Sequence, residues 1–344
     1  MRKMGVRLPQ AVIILFLIVM MGLALYLDIS LTWILGDALV RLVMNGVLVL
    51  SLVPMLKAGV GINFGLPVGV TAGLLGLCIS INFRFTGLAG LGAAMLFSIP
   101  FAVILGGAYG AILNRVRGRE EITATFVGFS FIPLMNFFWT VTPFSNPAMC
   151  WPIGGKGLRP VIGLRAYFEK ALNHTWEINM AGVRVPLGML VFFALLCALT
   201  ALFFRTTTGR AMTATGENEA FAGASGVSIP KVRILAVILS TLLAALGICV
   251  YAQSYGFVEL YDAPLMMAFP AASAILVGGS CHRHTSLLHV VVGTFLFQTT
   301  YLISGPIANE MMVPEVAEIF RLMITNGIIL YALIHEGGKY RVSA

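Results

Sequence analysis

The chain has 344 residues, 59% of them hydrophobic and only 10% charged, with a mean hydropathy of +0.94. An ordinary soluble domain carries about 25% charge, so the composition excludes a soluble globular protein and predicts an all-α polytopic membrane protein. The net charge of +8 fits basic loops at a membrane surface and does not mark a nucleic-acid partner.

Apolar runs fall at about 11–27, 35–57, 61–82, 87–113, 122–143, 186–204, 234–254, 264–279, 286–304 and 319–335. They predict one membrane domain over 1–344, with about ten transmembrane helices of roughly 20 residues each and outer flanks in contact with membrane lipid. The first run follows Arg2, Lys3 and Arg7. It is long for a signal peptide and more spans follow it, so it reads as a helix. If the N-terminus is cytoplasmic and the runs alternate, most Lys and Arg fall inside, among them Lys57, Arg115, Arg117, Arg119, Arg205, Arg210 and Lys231. That places both termini in the cytoplasm. Arg41 and Arg321 fall toward the outer ends of their runs, where snorkelling is easy. The five cysteines have neither metal nor disulfide spacing.

The third run, with its lead-in, reads GVGINFGLPVGVTAGLLG. Gly61, Gly65, Gly69 and Gly73 recur every four residues and offer a smooth stripe for close helix contact. Pro67 removes a backbone bond, which predicts a kink or a break. Broken helices are tolerated where they are buried or line a cavity, so this stretch serves packing, a solute path, or both. A long external loop is expected at about 144–185, with Trp151 and Trp176 suited to the membrane surface. It separates two halves of five runs each.

The polar interlude at about 205–233 reads as the organising element of the chain. Within it, Gly216 and Gly226 bound a helix of two or three turns. Ala220, Phe221 and Ala224 form a small apolar stripe, and Glu217 and Glu219 suit the positive end of the helix dipole. Ser228 then reads as an N-cap, with Pro230 in the first turn of the next helix.

Polar residues inside the runs are candidates for a translocation path: Asn45, Asn63, Asn136, Gln298 and Asn326, with Phe64 and Pro67 in the broken stretch. Neutral amides suit an uncharged, hydroxyl-rich solute; they serve equally as hydrogen bonds between helices. No chain of Asp, Glu and His at membrane depth supports proton coupling, and no nucleophile and base are paired as in an enzyme. His282-Arg283-His284 reads as a basic cytoplasmic turn without metal-ligand spacing.

The segment TGRAMTATGENEAFAGASGVSIPKVRILAVILSTLLAALG, from Thr208 to Gly247, resembles permeases of bacterial ATP-binding-cassette importers of the ribose and simple-sugar type, a group that also takes in nucleoside and branched-chain amino-acid permeases. The resemblance is carried by Gly209, Arg210, Gly216, Asn218, Glu219, Ala220, Ser225, Gly226 and Val227, then Leu243, Ala244 and Gly247. It implies that Gly216, Glu217, Asn218, Glu219, Ala220, Phe221, Ser225 and Gly226 form a coupling segment that docks on a cytoplasmic ATPase. It further implies an ABC importer permease fold in a bacterial inner membrane, a second permease copy or homologue, an external solute-binding protein, and a simple sugar or nucleoside as solute. No Gly-x4-Gly-Lys-Ser/Thr phosphate loop occurs, so ATP and Mg are expected on the partner and no cofactor in this chain. Two departures stand out: Gly61-Ile62-Asn63-Phe64-Gly65 lacks the acidic residue usual in sugar permeases, and Cys281-His282-Arg283-His284 replaces a glycine-rich turn.

Overall fold

The structure is a computed structural model that describes residues 8–311, apart from 143, 152–156 and 281–284, with helical positions at 319, 323, 326, 327 and 330. The N-terminal basic residues, Arg321 and the turn at His282-Arg283-His284 lie outside the described residues.

In chain order the helices are α1 (Leu8–Tyr26), α2 (Leu31–Leu50), α3 (Val53–Lys57), α4 (Leu66–Asn82), α5 (Gly87–Arg115) and α6 (Glu120–Val141). After a long connection come α7 (Leu187–Arg205), α8 (Thr207–Glu217), α9 (Glu219–Ala224), α10 (Ile229–Tyr255), α11 (Ala263–Met266), α12 (Ala268–Val277) and α13 (Leu287–Met311). Among the described residues six helices, α2, α5, α6, α7, α10 and α13, are long and apolar enough to cross a membrane. The expectation of about ten full spans is therefore not confirmed helix for helix, and its last run, 319–335, falls mostly outside the described residues. α4 has 17 residues, about 25 Å at 1.5 Å per residue, and α12 has ten, about 15 Å, against a hydrocarbon core of about 30 Å.

The chemistry of the breaks is local. Pro67 lies in the first turn of α4 and begins the helix instead of kinking it, so residues 58–64 enter without helical structure. Pro54 likewise starts α3, separating it from α2. At the far end of α10, Gly256 takes a left-handed φ of 91° and stops the helix.

α4 sits at the centre, with only Ile79 and Asn82 of its residues escaping burial. α5, α10 and α6 pack around it, and α2 lies on the far side of α10. The glycine stripe explains the closeness on one side. A Cβ at Gly69 would lie 2.6 Å from the Ala244 Cβ, and one at Gly73 would run into the Ala245 backbone of α10. Gly76 faces the other way, against Ala94 and Ser98 of α5. Gly61 and Gly65 precede the helix and meet Glu121 and Tyr109 instead. The outer helices turn large apolar side chains outward, including Ile104, Phe126, Phe137, Leu195 and Leu199, as a lipid-facing surface does.

The long loop is more ordered than a bare external connection and adds β-structure to an otherwise helical chain. β1 (Val161–Gly163) pairs antiparallel with β4 (Phe257–Glu259), Ile162 opposite Val258. β2 (Glu177–Met180) and β3 (Val183–Pro186) form a hairpin, Ile178 opposite Val185. Phe168 and Ile162 are fully buried. The loop is pinned to the end of α10 by Gln253, whose Oε1 accepts from Leu172 N at 3.1 Å while its Nε2 donates to Asn173 Oδ1 at 2.9 Å. Trp151 and Trp176 remain exposed.

Candidate functional site

The polar interlude folds as two helices where one was expected. The Thr206 hydroxyl caps α8 by accepting from Gly209 N. Asn218 then breaks the chain in an extended conformation and caps α9, its Oδ1 accepting from Phe221 N at 3.0 Å. The helix start therefore lies at Asn218, and Gly216 and Glu217 belong to the last turn of α8. Gly216 is needed there for close approach. A Cβ on it would strike the Lys57 carbonyl and come within 2.8 Å of Gly59 N. Lys57 Nζ lies 4.9 Å from the centre of the Phe204 ring, which fixes the other side of the same corner.

α9 buries only Ala222. Ala220, Phe221 and Ala224 all face outward, with Phe221 67% exposed. Ser225 donates back to Phe221 O, and Gly226 closes the helix at φ 85°. The helix thus presents an apolar stripe that nothing in this chain covers among the described residues.

Its acidic end is wired to the bundle. Glu219 Oε1 accepts from Arg117 at 2.8 Å, and its other oxygen lies 3.8 Å from Arg233 Nη1. Arg233, 5% exposed in the first turns of α10, pairs in turn with Glu120 at the start of α6. Next to it, Glu121 Oε1 accepts from Ile62 N at 3.1 Å. Ile62 lies in the unwound lead-in to α4, where Gly61 takes φ 102°. A chain of charge-assisted contacts therefore runs from α9 to the unwound lead-in of α4 at the centre of the bundle.

The path candidates fall into separate places. Asn63 is 1% exposed and its amide is committed: it donates to Ser240 Oγ at 2.8 Å and accepts from Tyr109 OH at 2.9 Å. It ties the lead-in of α4 to α5 and α10. Phe64 stacks obliquely on Phe269 at 5.7 Å, and Phe129 meets the same ring at 6.0 Å. Three rings from α4's lead-in, α6 and α12 thus converge beside Pro67. Asn45 donates to the Arg41 carbonyl within α2. Asn136 lies on α6 with its Oδ1 buried and without a partner among the described residues. Gln298 is buried in α13, and Asn326 is exposed at an isolated helical position. The structure does not bring these amides together in one group.

At the opposite face from α9, a cavity of about 950 Å³ opens between α2, α10, α13 and the docked loop. Sequence reasoning left it out. Its one signal was Asp37 and Arg41, four apart on an otherwise apolar run, which form an ion pair at 2.8 Å in that cavity.

Helices that cross a membrane, half-helices between them and a short amphipathic stub on one face together define a multi-pass membrane permease. The chain belongs to the family of branched-chain amino acid transport system permease components, which matches residues 13–331. It is 26% identical to the autoinducer 2 import system permease protein LsrC of Enterobacter sp. (strain 638), over 68% of this chain and 60% of that protein. It is 22% identical to the nucleoside ABC transporter permease protein NupB of Lactococcus lactis subsp. cremoris (strain MG1363), over 70% of this chain and 64% of that one. The chain thus spans less than two thirds of either relative. An inward-facing structure of a protein described as a metal-chelate type ABC transporter matches 86% of this chain and 85% of its own, with a TM-score of 0.44 and 18% identity. An overlap that loose carries no argument.

Proposed function

We propose that this chain is the permease subunit of an ATP-driven importer that carries a simple sugar or nucleoside across a bacterial inner membrane. The face with α8 and α9 is then cytoplasmic, in keeping with its share of the basic residues. ATP hydrolysis takes place on separate ATPase subunits that hold ATP and Mg. A second permease copy or homologue completes the channel, and an external solute-binding protein delivers the solute to the opposite face. The relatives named as permeases for autoinducer 2 and nucleosides support the solute class.

The observation that carries this reading is the exposed stripe of Ala220, Phe221 and Ala224 on a helix whose Glu219 is tied to Arg117 and Arg233. An apolar helix face of this kind fits a groove on a partner. The ion network gives movement of that partner a route to α6 and the lead-in of α4. Switching of this sort requires that the partner bind two arrangements of the bundle unequally.

The test is the purified complex with its ATPase, carrying Glu219→Arg together with Phe221→Asp. Loss of solute-stimulated ATP hydrolysis and of uptake into vesicles is expected. Undiminished coupling in that variant overturns the docking role. Uptake by vesicles containing this chain alone, driven by an ion gradient, would instead make it a stand-alone carrier.

A further inference from the structure

We infer that the cavity between α2, α10, α13 and the docked loop is a binding site within a single chain for a neutral, hydroxyl-rich ring, such as a furanose or the ribose of a nucleoside. This rests on the permease reading only for the reason a solute would reach it.

The size is right. About 950 Å³ falls at the upper end of the roughly 300–1,000 Å³ common for small-molecule sites. The walls combine flat aromatic faces with paired polar groups. Tyr251 and Tyr255 of α10 lie 5.7 Å apart, and Tyr301 of α13 stands under the Arg41 guanidinium at 5.9 Å. Arg41 Nε donates to Asp37 Oδ2, and the Arg41 Nη groups take no further partner among the described residues. The pair therefore offers fixed planar donors beside a carboxylate acceptor. Adjacent hydroxyls on a ring can bond to both at once, while the ring face stacks on tyrosine. Asp37 already balances Arg41, so that pair asks for no net charge on its ligand, while Lys170 and Arg184 on the loop side are offset in part by Glu177. A bare anion would have to compete with Asp37 for Arg41.

A second observation points the same way. Helical spacing puts Gln298 and Thr294 on the face of α13 that carries Tyr301, about 5 and 10 Å further along the axis. Both are buried, and the Thr294 hydroxyl has no partner among the described residues. A buried hydroxyl left unbonded is costly. Neither Gln298 nor Thr294 lines the cavity itself, and a water held between this hydroxyl and the cavity floor would supply the missing bond.

The site carries its own reporter, since Trp33 lines the cavity and is 48% exposed. The experiment follows tryptophan emission of the full-length chain in lipid nanodiscs, without any ATPase, while D-ribose, adenosine or inorganic phosphate is added. A saturable change is expected with D-ribose or adenosine, none with phosphate, and none with any probe in Trp33→Phe. Tyr301→Ala should weaken binding by about tenfold or more. So should Asp37→Asn with Arg41→Gln, which alters only a partly buried pair and serves if Tyr301→Ala fails to fold. No saturable response to either ring compound overturns the inference. So does a response unchanged in these variants, or one produced by phosphate alone. Coupling to the ATPase plays no part in this measurement, so failure here leaves the docking role of α9 standing, and failure there leaves the cavity standing.

Discussion

Removing the Glu120 carboxylate is the most direct way to probe the joint between α9 and the bundle. Arg233 and Glu120 form an ion pair with side chains only 6% and 13% exposed. Breaking a buried pair by deleting one partner costs about 3–5 kcal/mol, because a charge is left uncompensated. Glu219 stays 3.8 Å from Arg233, but its own side chain is 42% exposed and already serves Arg117. Its help is therefore partial, which puts Glu120→Ala near the lower end, about 3 kcal/mol, or roughly a hundredfold in the unfolding equilibrium. Adding Arg233→Met removes the stranded charge, so the double variant should recover most of that loss. Arg117→Ala, at the exposed end of the network, should cost only about 0–1 kcal/mol. Unfolding can be followed with a thiol-reactive dye, since Cys78 and Cys249 are fully buried and react only when the bundle opens. The reasoning fails if Glu120→Ala lies within about 0.5 kcal/mol of the parent, or if the double variant is less stable than the single one.

Two further outcomes are expected. Asn63→Ala strands the Tyr109 and Ser240 hydroxyls in the interior and should destabilise the chain by about 1–3 kcal/mol, measured by the same dye; a neutral result would show that the amide does not hold α4, α5 and α10 together. Burial, with the Asp262 charge adding to it, raises the Glu259 carboxyl above its ordinary 4.5. A raised acid favours the folded state below about pH 4.5 and loses that contribution as pH climbs through its folded value. Glu259→Gln should therefore melt above the parent at pH 7.5, with the gap closing by about pH 4; a gap that widens on acidification would reverse the assignment.

Much of this architecture can be read from local patterns, and what escapes is long-range. Apolar runs located the helices because lipid demands internally bonded backbone. The four-residue glycine spacing correctly marked a contact face at Gly69 and Gly73, although Gly61 and Gly65 fall before the helix begins. The exposed stripe at Ala220, Phe221 and Ala224 was legible from periodicity alone. The bounding glycines place the start of α9 at Gly216, two residues early, whereas the Asn218 side chain makes the cap. Pro67 announced a break, but a proline that interrupts a helix and one that begins it look alike until the preceding backbone is known. Nothing nearby in sequence joins Arg233 to Glu120, 113 residues apart, or Gln253 to the loop at Leu172, 81 residues apart. Those pairings arise only once the helices have packed. The cavity around Asp37 and Arg41 is of the same kind, for three helices and a loop contribute to it.

Where Gly216 meets Gly59 there is no side chain on either partner: a Cβ on Gly59 would sit 2.9 Å from the Gly216 Cα. Side chains can absorb a sub-ångström displacement by changing rotamer; main chain resting on main chain has no such slack. The end of α8 and the stretch before Ile62 therefore rest directly on one another through their main chains, with no side chain between them. A single added methyl group at either glycine would have to force the two backbones apart.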